Sequence, residues 1–129
     1  MPYFTLPANE THLSSDVRDH PDAEAIAGRV EAEIIGRYTG EQEGAPVVQL
    51  AGYDEDPAAA DDDLRAALTD TIGFVTSHRL RHERATVGVE SESVGRRSKS
   101  YGAGFNTRWP HEWYARLIRF DERPANWRP

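Results

Sequence analysis

"HPDAEAIAGRVEAEIIGRYTG", residues 20–40, decides how the rest of this chain is read. Ile26, Val30, Ile34 and Tyr38 recur at every fourth position, with Ile35 beside them, so one side of a helix is apolar. Pro21 suits the first helical position. Asp22 and Glu24 fall in the first turn, where the helix dipole favours anions, and Gly40 is a natural stop.

The same pattern predicts a longer helix from about residue 58 to about residue 82. Asp61, Asp62 and Asp63 stand near its start and Arg79, Arg81 and Arg84 near its end, the polarity a helix dipole prefers. Leu64, Leu68, Ile72 and Val75 make its buried stripe, flanked by Phe74. Gly73 weakens the middle by about 1 kcal/mol relative to Ala and permits a neighbour to pack closely. A third helix is predicted in "RWPHEWYARLIRF", residues 108–120. Pro110 sits in its first turn, and Trp113, Leu117 and Phe120 share a face with Tyr114 and Ile118 adjacent.

Between the first two helices, "GAPVVQLAGYDED" (residues 44–56) offers Val47, Val48 and Leu50 as a short strand or extended segment, followed by a turn. Residues 1–20, with Pro2 and Pro7 and no period, read as an arm. "DERPANWRP", residues 121–129, reads as a tail, because Pro124 blocks a helix. The expected fold is therefore mainly α: a small helical bundle with a protruding polar β-hairpin and extended N- and C-terminal arms. The bundle spans 21–120, with three principal helices and a short fourth near 57–63. Its expected core is Ile26, Val30, Ile34, Leu64, Leu68, Ile72, Val75, Trp113 and Leu117.

The hairpin is expected over 86–104, around "ESESVGRRSKSY" (residues 90–101), which alternates like a strand yet holds almost nothing apolar. Gly95-Arg96 fits a two-residue type II′ turn. That register sets Glu92 opposite Lys99, Glu90 opposite Tyr101 and serines opposite serines. Such pairs contribute roughly 0.2–1 kcal/mol each. An isolated hairpin is marginal in water, so this ribbon is expected to order against a partner.

With 129 residues the chain fits one domain, and without cysteine it has no disulfide, thiol nucleophile or thiolate metal site. No apolar run approaches the roughly 18 residues of a membrane helix, and the first residues lack the features of a signal peptide. The expectation is a soluble protein with no membrane partner.

The net charge of −7 hides an asymmetry. Residues 1–63 carry 15 Asp/Glu against 3 Arg, a net of −12; residues 64–129 carry 7 against 12 Arg/Lys, a net of +5. Either one domain has two differently solvated faces, or an acidic surface of one copy meets a basic surface of the next. Fourteen of the fifteen cations are Arg, which favours bidentate pairing, although a GC-rich genome gives the same bias.

Searches for chemistry return little. His78 and His82 stand at i, i+4, a spacing that can share a metal, but Arg79 and Arg81 crowd them and no third ligand is evident. The Asp61–Asp63 run is explained by the helix start. There is no G-x-S-x-G elbow, and "YGAGFN" (residues 101–106) lacks a phosphate-loop Lys. Arg96, Arg97 and Lys99, with Tyr101 nearby, form a basic tip able to touch phosphates, but the whole chain is acidic. No enzyme, cofactor or metal is expected.

The order of elements resembles the head-to-tail connector (adaptor, or head-completion) proteins of tailed bacteriophages and gene-transfer agents. The resemblance covers roughly residues 20–123. It rests on a first helix ending in Tyr38-Thr39-Gly40, a short apolar segment and a long helix. "ESVGRRSKSYG" (residues 92–102) follows, close to that family's ES-x-G-x-x-S-x-S-Y ribbon, and a proline-opened helix then leads into "LIRF" (residues 117–120). The family often has an acidic or small residue where Arg96 and Arg97 stand, and a shorter N-terminal arm.

The resemblance implies a homo-oligomeric ring, usually a dodecamer, docked on the portal protein at the neck of the virion after assembly in the host cytoplasm. Such a ring extends the DNA channel, passes packaged DNA without sequence-specific binding, and presents a platform to tail or stopper proteins. It implies that the C-terminal tail reaches the portal, with Trp127 as anchor and Arg123 and Arg128 as ionic partners; alternatively Trp127 folds back on its own bundle. Glu92, Arg96, Arg97, Lys99 and Tyr101 would make the hairpin's contacts with neighbouring copies. The rival reading is a small acidic regulatory protein that binds one soluble partner.

Overall fold

The computed structural model describes residues 2–89 and 109–127. Two long helices carry the fold, α1 (Ala23–Arg37) and α2 (Asp62–Val89), with one antiparallel hairpin between them, β1 (Thr39–Gln42) and β2 (Ala45–Val48). Short 3-10 turns cover Glu10–His12, Pro57–Ala59 and three stretches between Tyr114 and Trp127. The fold is mainly α with a β-hairpin, as the sequence predicts, but the hairpin described lies at 39–48 and not over 86–104.

Helix α1 opens with Ile26 N–H donating to the Asp22 carbonyl and closes with the Thr39 hydroxyl donating to the Ile35 carbonyl. Its buried line is Ala23, Ala27, Val30, Ile34 and then Tyr38, while Ile26 is only partly buried. Helix α2 buries Leu64, Leu68, Ile72, Val75 and Leu80, so the expected stripe is present. Its 28 residues make a rod about 42 Å long, at about 1.5 Å per residue. It runs past residue 82 and takes in residues 86–89, assigned to a ribbon by sequence. Propagating an existing helix adds one hydrogen bond per residue without a new nucleus, and Glu83, Arg84 and Ala85 are good helix formers. The rest of the expected hairpin, from residue 90 on, lies outside the described residues.

The β1–β2 hairpin turns through Glu43 and Gly44, both at positive φ (54° and 83°), the sign that a type I′ turn demands. The register pairs Gln42 with Ala45, Gly40 with Val47 and Glu41 with Pro46. Beyond β2 the chain continues the ladder: Gln49 N–H donates to the Tyr38 carbonyl, and Leu50 bridges Asp121. Ala51 N–H donates to the Phe120 carbonyl, and Glu122 N–H donates to the Gln49 carbonyl. The C-terminal segment is thus laid beside the strand that leaves the hairpin.

Three expectations need correction. The N-terminal residues are no loose arm. Tyr3, Phe4, Leu13 and Val17 are buried in the core. Glu31 on α1 accepts from Tyr3 N–H (3.1 Å) and Phe4 N–H (3.0 Å), and Ser77 on α2 accepts from Ser14 N–H. Arg81 forks onto Asp16 at 3.0 and 3.2 Å. The close neighbour that Gly73 admits is this segment: a Cβ there would lie 2.5 Å from the His12 carbonyl oxygen.

The predicted third helix is instead a pair of 3-10 turns, Tyr114–Arg116 and Ile118–Phe120. With about three residues per turn, Leu117 and Phe120 fall on one face and are buried, as is Trp113. Asp121 leaves the last turn in an extended conformation (φ −74°, ψ 111°) and bridges Leu50. The fourth helix near 57–63 reduces to the Pro57–Ala59 turn, whose Ala58 N–H donates to the Asp56 side chain.

Candidate functional site

Arg37, Arg79 and Arg123 gather with Tyr38, Trp109, Trp113 and Tyr114 where the end of α1, the middle of α2 and the C-terminal segment meet. Arg123 lies at the centre. Its backbone N–H and Nε donate to Asp121 Oδ1, each at 2.9 Å, and Nη2 donates to Oδ2 at 2.7 Å. Nη1 donates to the Arg37 carbonyl, one of the last carbonyls of α1 that the helix itself cannot satisfy. The guanidinium also lies 4.4 Å from the centre of the Tyr38 ring.

The Tyr114 hydroxyl donates to Asp121 Oδ2 at 2.5 Å. Burial pushes the Asp121 carboxyl upward in pKa, but the Arg123 guanidinium, the Tyr114 hydroxyl and the Arg123 N–H outweigh it and hold it at about 2. Burial raises Tyr38, and burial together with the Asp121 bond raises Tyr114, so both phenols stay neutral.

A second layer lies against this lock. Arg37 sits 3.9 Å over the Trp109 ring and 5.3 Å from Trp113, and Arg79 approaches Trp109 at 5.1 Å. Arg79 Nη1 also pairs with Glu33 of α1 at 2.5 Å. Trp109 and Trp113 are tilted rings 5.0 Å apart, and Trp113 meets Tyr38 edge-on at 6.2 Å. Cation–π contacts of this type contribute about 0.5–2 kcal/mol, more as they lose water. The arrangement binds three parts of one chain together and shows no nucleophile, no poised base and no open ligand position.

A shallow groove of about 280 Å³ lies between the N-terminal segment and the first turns of α2. Its polar groups bond to the protein itself: Arg65 to the Pro57 carbonyl and to Asp62, Thr69 to the Arg65 carbonyl, and Asn9 to Thr5. They do not converge on a common point. Among the described residues no group of three or more His, Asp or Glu stands close enough to hold a metal ion. No described helix is long and apolar enough to cross a membrane.

No protein-family model, no curated protein and no solved structure matches the chain.

Of the residues expected to meet a portal, Arg123 is a correction. It is 6% exposed, and its guanidinium is committed to Asp121, Arg37 and Tyr38 inside the fold. The segment that carries it is held beside Gln49–Ala51, so a tail can begin only after it. Trp127 ends a short 3-10 turn, and Arg128 lies outside the described residues. Glu92, Arg96, Arg97, Lys99 and Tyr101 also lie outside them. Sequence reasoning missed Arg37, Arg79 and Trp109. The available signal was an Arg in the last turn of α1 and a Trp directly before the proline at 110.

Proposed function

We propose that this chain is a structural adaptor that assembles as a ring between the portal and the tail or stopper proteins of a tailed bacteriophage or gene-transfer agent. The observation that carries the reading is the ordered set of elements in one short chain. In the sequence, a first helix runs up to Tyr38-Thr39-Gly40, a short apolar segment and a long helix follow, and then come "ESVGRRSKSYG" and "LIRF". The long helix is α2, whereas the helix expected before "LIRF" is a pair of 3-10 turns.

Two further features agree with it. Among the described residues the Arg123–Asp121 cluster joins three parts of the chain, as a scaffold would need. The N-terminal end of α2 is acidic, with Asp54, Glu55, Asp56 and Asp61–Asp63 at or just before it, whereas the arginines of residues 64–129 outnumber the acids of that stretch. A ring joins two different patches of neighbouring copies, and unlike charge on those patches sets their orientation. Packaged DNA would pass such a ring without sequence-specific contact.

The test is binding of the purified chain to DNA-filled, portal-bearing heads that lack a neck. Co-sedimentation in a fixed copy number per head supports the adaptor. Failure to bind heads, with capture of one soluble partner instead, supports the acidic regulatory protein.

A further inference from the structure

We propose that Arg37 is a contact point for a carboxylate side chain on a partner protein; the inference does not depend on the ring reading above. Arg65, Arg79, Arg81, Arg116 and Arg123 each pair with a carboxylate of this chain. Arg37 does not. Among the described residues no oxygen accepts from its guanidinium, which lies over two rings instead, 3.9 Å from the centre of Trp109 and 5.3 Å from that of Trp113. The residue is exposed at the end of α1, and its planar fork carries five N–H donors.

The local charge is unbalanced in the same direction. Glu33 pairs with Arg79 and Asp121 with Arg123, and those two arginine side chains are only 11% and 7% exposed. Arg37 is the third cation of the group. Burial lowers its pKa; Glu33 opposes this, while Arg79 and Arg123 add to it. The guanidinium stays charged all the same. A carboxylate beside it would relieve both the lost hydration and the repulsion. Contact with Trp109 holds the side chain before a partner arrives, so less rotamer freedom is lost on binding. The fork takes both oxygens of a carboxylate at once. The net charge of −7 works against a nucleic-acid backbone, which is bound by a row of cations rather than by one. An isolated surface ion pair is weak, so a free small acid gains little. A protein surface adds contacts around the pair, and arginine is among the residues that dominate such interfaces.

The experiment follows the Arg37 Nε–H NMR signal of the full chain, assigned by its loss in Arg37→Lys. The probes are a capped tetraglutamate peptide, its glutamine counterpart, sodium acetate and a short DNA duplex. The glutamate peptide is expected to move the signal to saturation, and the glutamine peptide to leave it in place. Arg37→Gln should weaken the glutamate peptide about tenfold, read from backbone amide shifts, and Arg37→Lys, which keeps the charge without the fork, about threefold. Arg29→Gln removes the same charge from an exposed position of α1 and should change the affinity less than about twofold.

Equal weakening by Arg37→Gln and Arg29→Gln shows bulk charge alone and overturns the inference, as does an Arg37 signal that no probe moves. Acetate as effective per carboxylate as the peptide, or DNA that moves the signal at lower concentration than the peptide, overturns the assignment to a protein carboxylate.

Discussion

Arg123 grips Asp121, two residues before it, through three N–H groups, and its remaining nitrogen donates to the Arg37 carbonyl at the end of α1. Both side chains are almost wholly out of solvent, at 7% and 0% exposed. The C-terminal segment is therefore locked to the first helix by a buried ion pair in which each guanidinium nitrogen donates to an oxygen.

Removing one partner strands the other charge in the interior. Asp121→Ala is expected to cost about 3–5 kcal/mol, read as a lower urea midpoint. Asp121→Asn, which keeps the shape, should cost less.

The same pair sets an acid limit. The folded carboxyl sits at about 2 against an ordinary 3.8, so the unfolded chain takes up the proton first. Its contribution, about 2 kcal/mol, is complete above about pH 4 and is lost as pH falls towards 2. Denaturation midpoints measured from pH 5 to pH 2 should fall more steeply for the wild type than for Asp121→Asn.

Two helical glycines should respond with opposite sign. Gly28 in α1 faces open space, so Gly28→Ala should stabilise by about 0.5–1 kcal/mol. Gly73 in α2 carries the same propensity penalty, but a Cβ there would meet the His12 carbonyl oxygen at 2.5 Å and the His12 Cβ at 2.6 Å. Gly73→Ala should lower the melting temperature, because backbone has to move.

Glu43 occupies a positive φ of 54° in a two-residue turn where Asn, Asp or Gly is favoured. The left-handed region costs an ordinary side chain roughly 1 kcal/mol. Glu43→Asn should raise the melting temperature by an amount of that order without altering assembly, since the turn's shape is kept.

Leu13 is 2% exposed in a segment that sequence alone reads as an arm. Leu13→Ala should cost about 2–5 kcal/mol by the same denaturation assay, as a core leucine does. A loss below 0.5 kcal/mol would show that the segment is dispensable.

The two long helices were legible because their apolar residues obey a single period over many turns; Leu64, Leu68, Ile72 and Val75 need only counting. The N-terminal segment was not, because Tyr3, Phe4, Leu13 and Val17 share no period. Hydrogen bonds of the segment also reach 28 and 63 positions away, from Tyr3 to Glu31 and from Ser14 to Ser77. The last segment misled for a different reason. Trp113, Leu117 and Phe120 satisfy a period of 3.6 as well as one of 3.0 over so short a run, so their spacing does not choose between the two. Arg123 looked like a surface cation on a polar tail; only the closure of that tail beside Gln49 brings it under the end of α1. The ribbon motif that motivates the ring reading falls on residues 92–102, outside the described residues.

The central claim is closure of identical copies into a circle, and the direct measurement is the mass of the full chain mixed with purified portal rings. The account predicts free monomer and one discrete large species that carries a fixed number of copies per portal. A compact monomer or dimer that stays unbound at every concentration contradicts it.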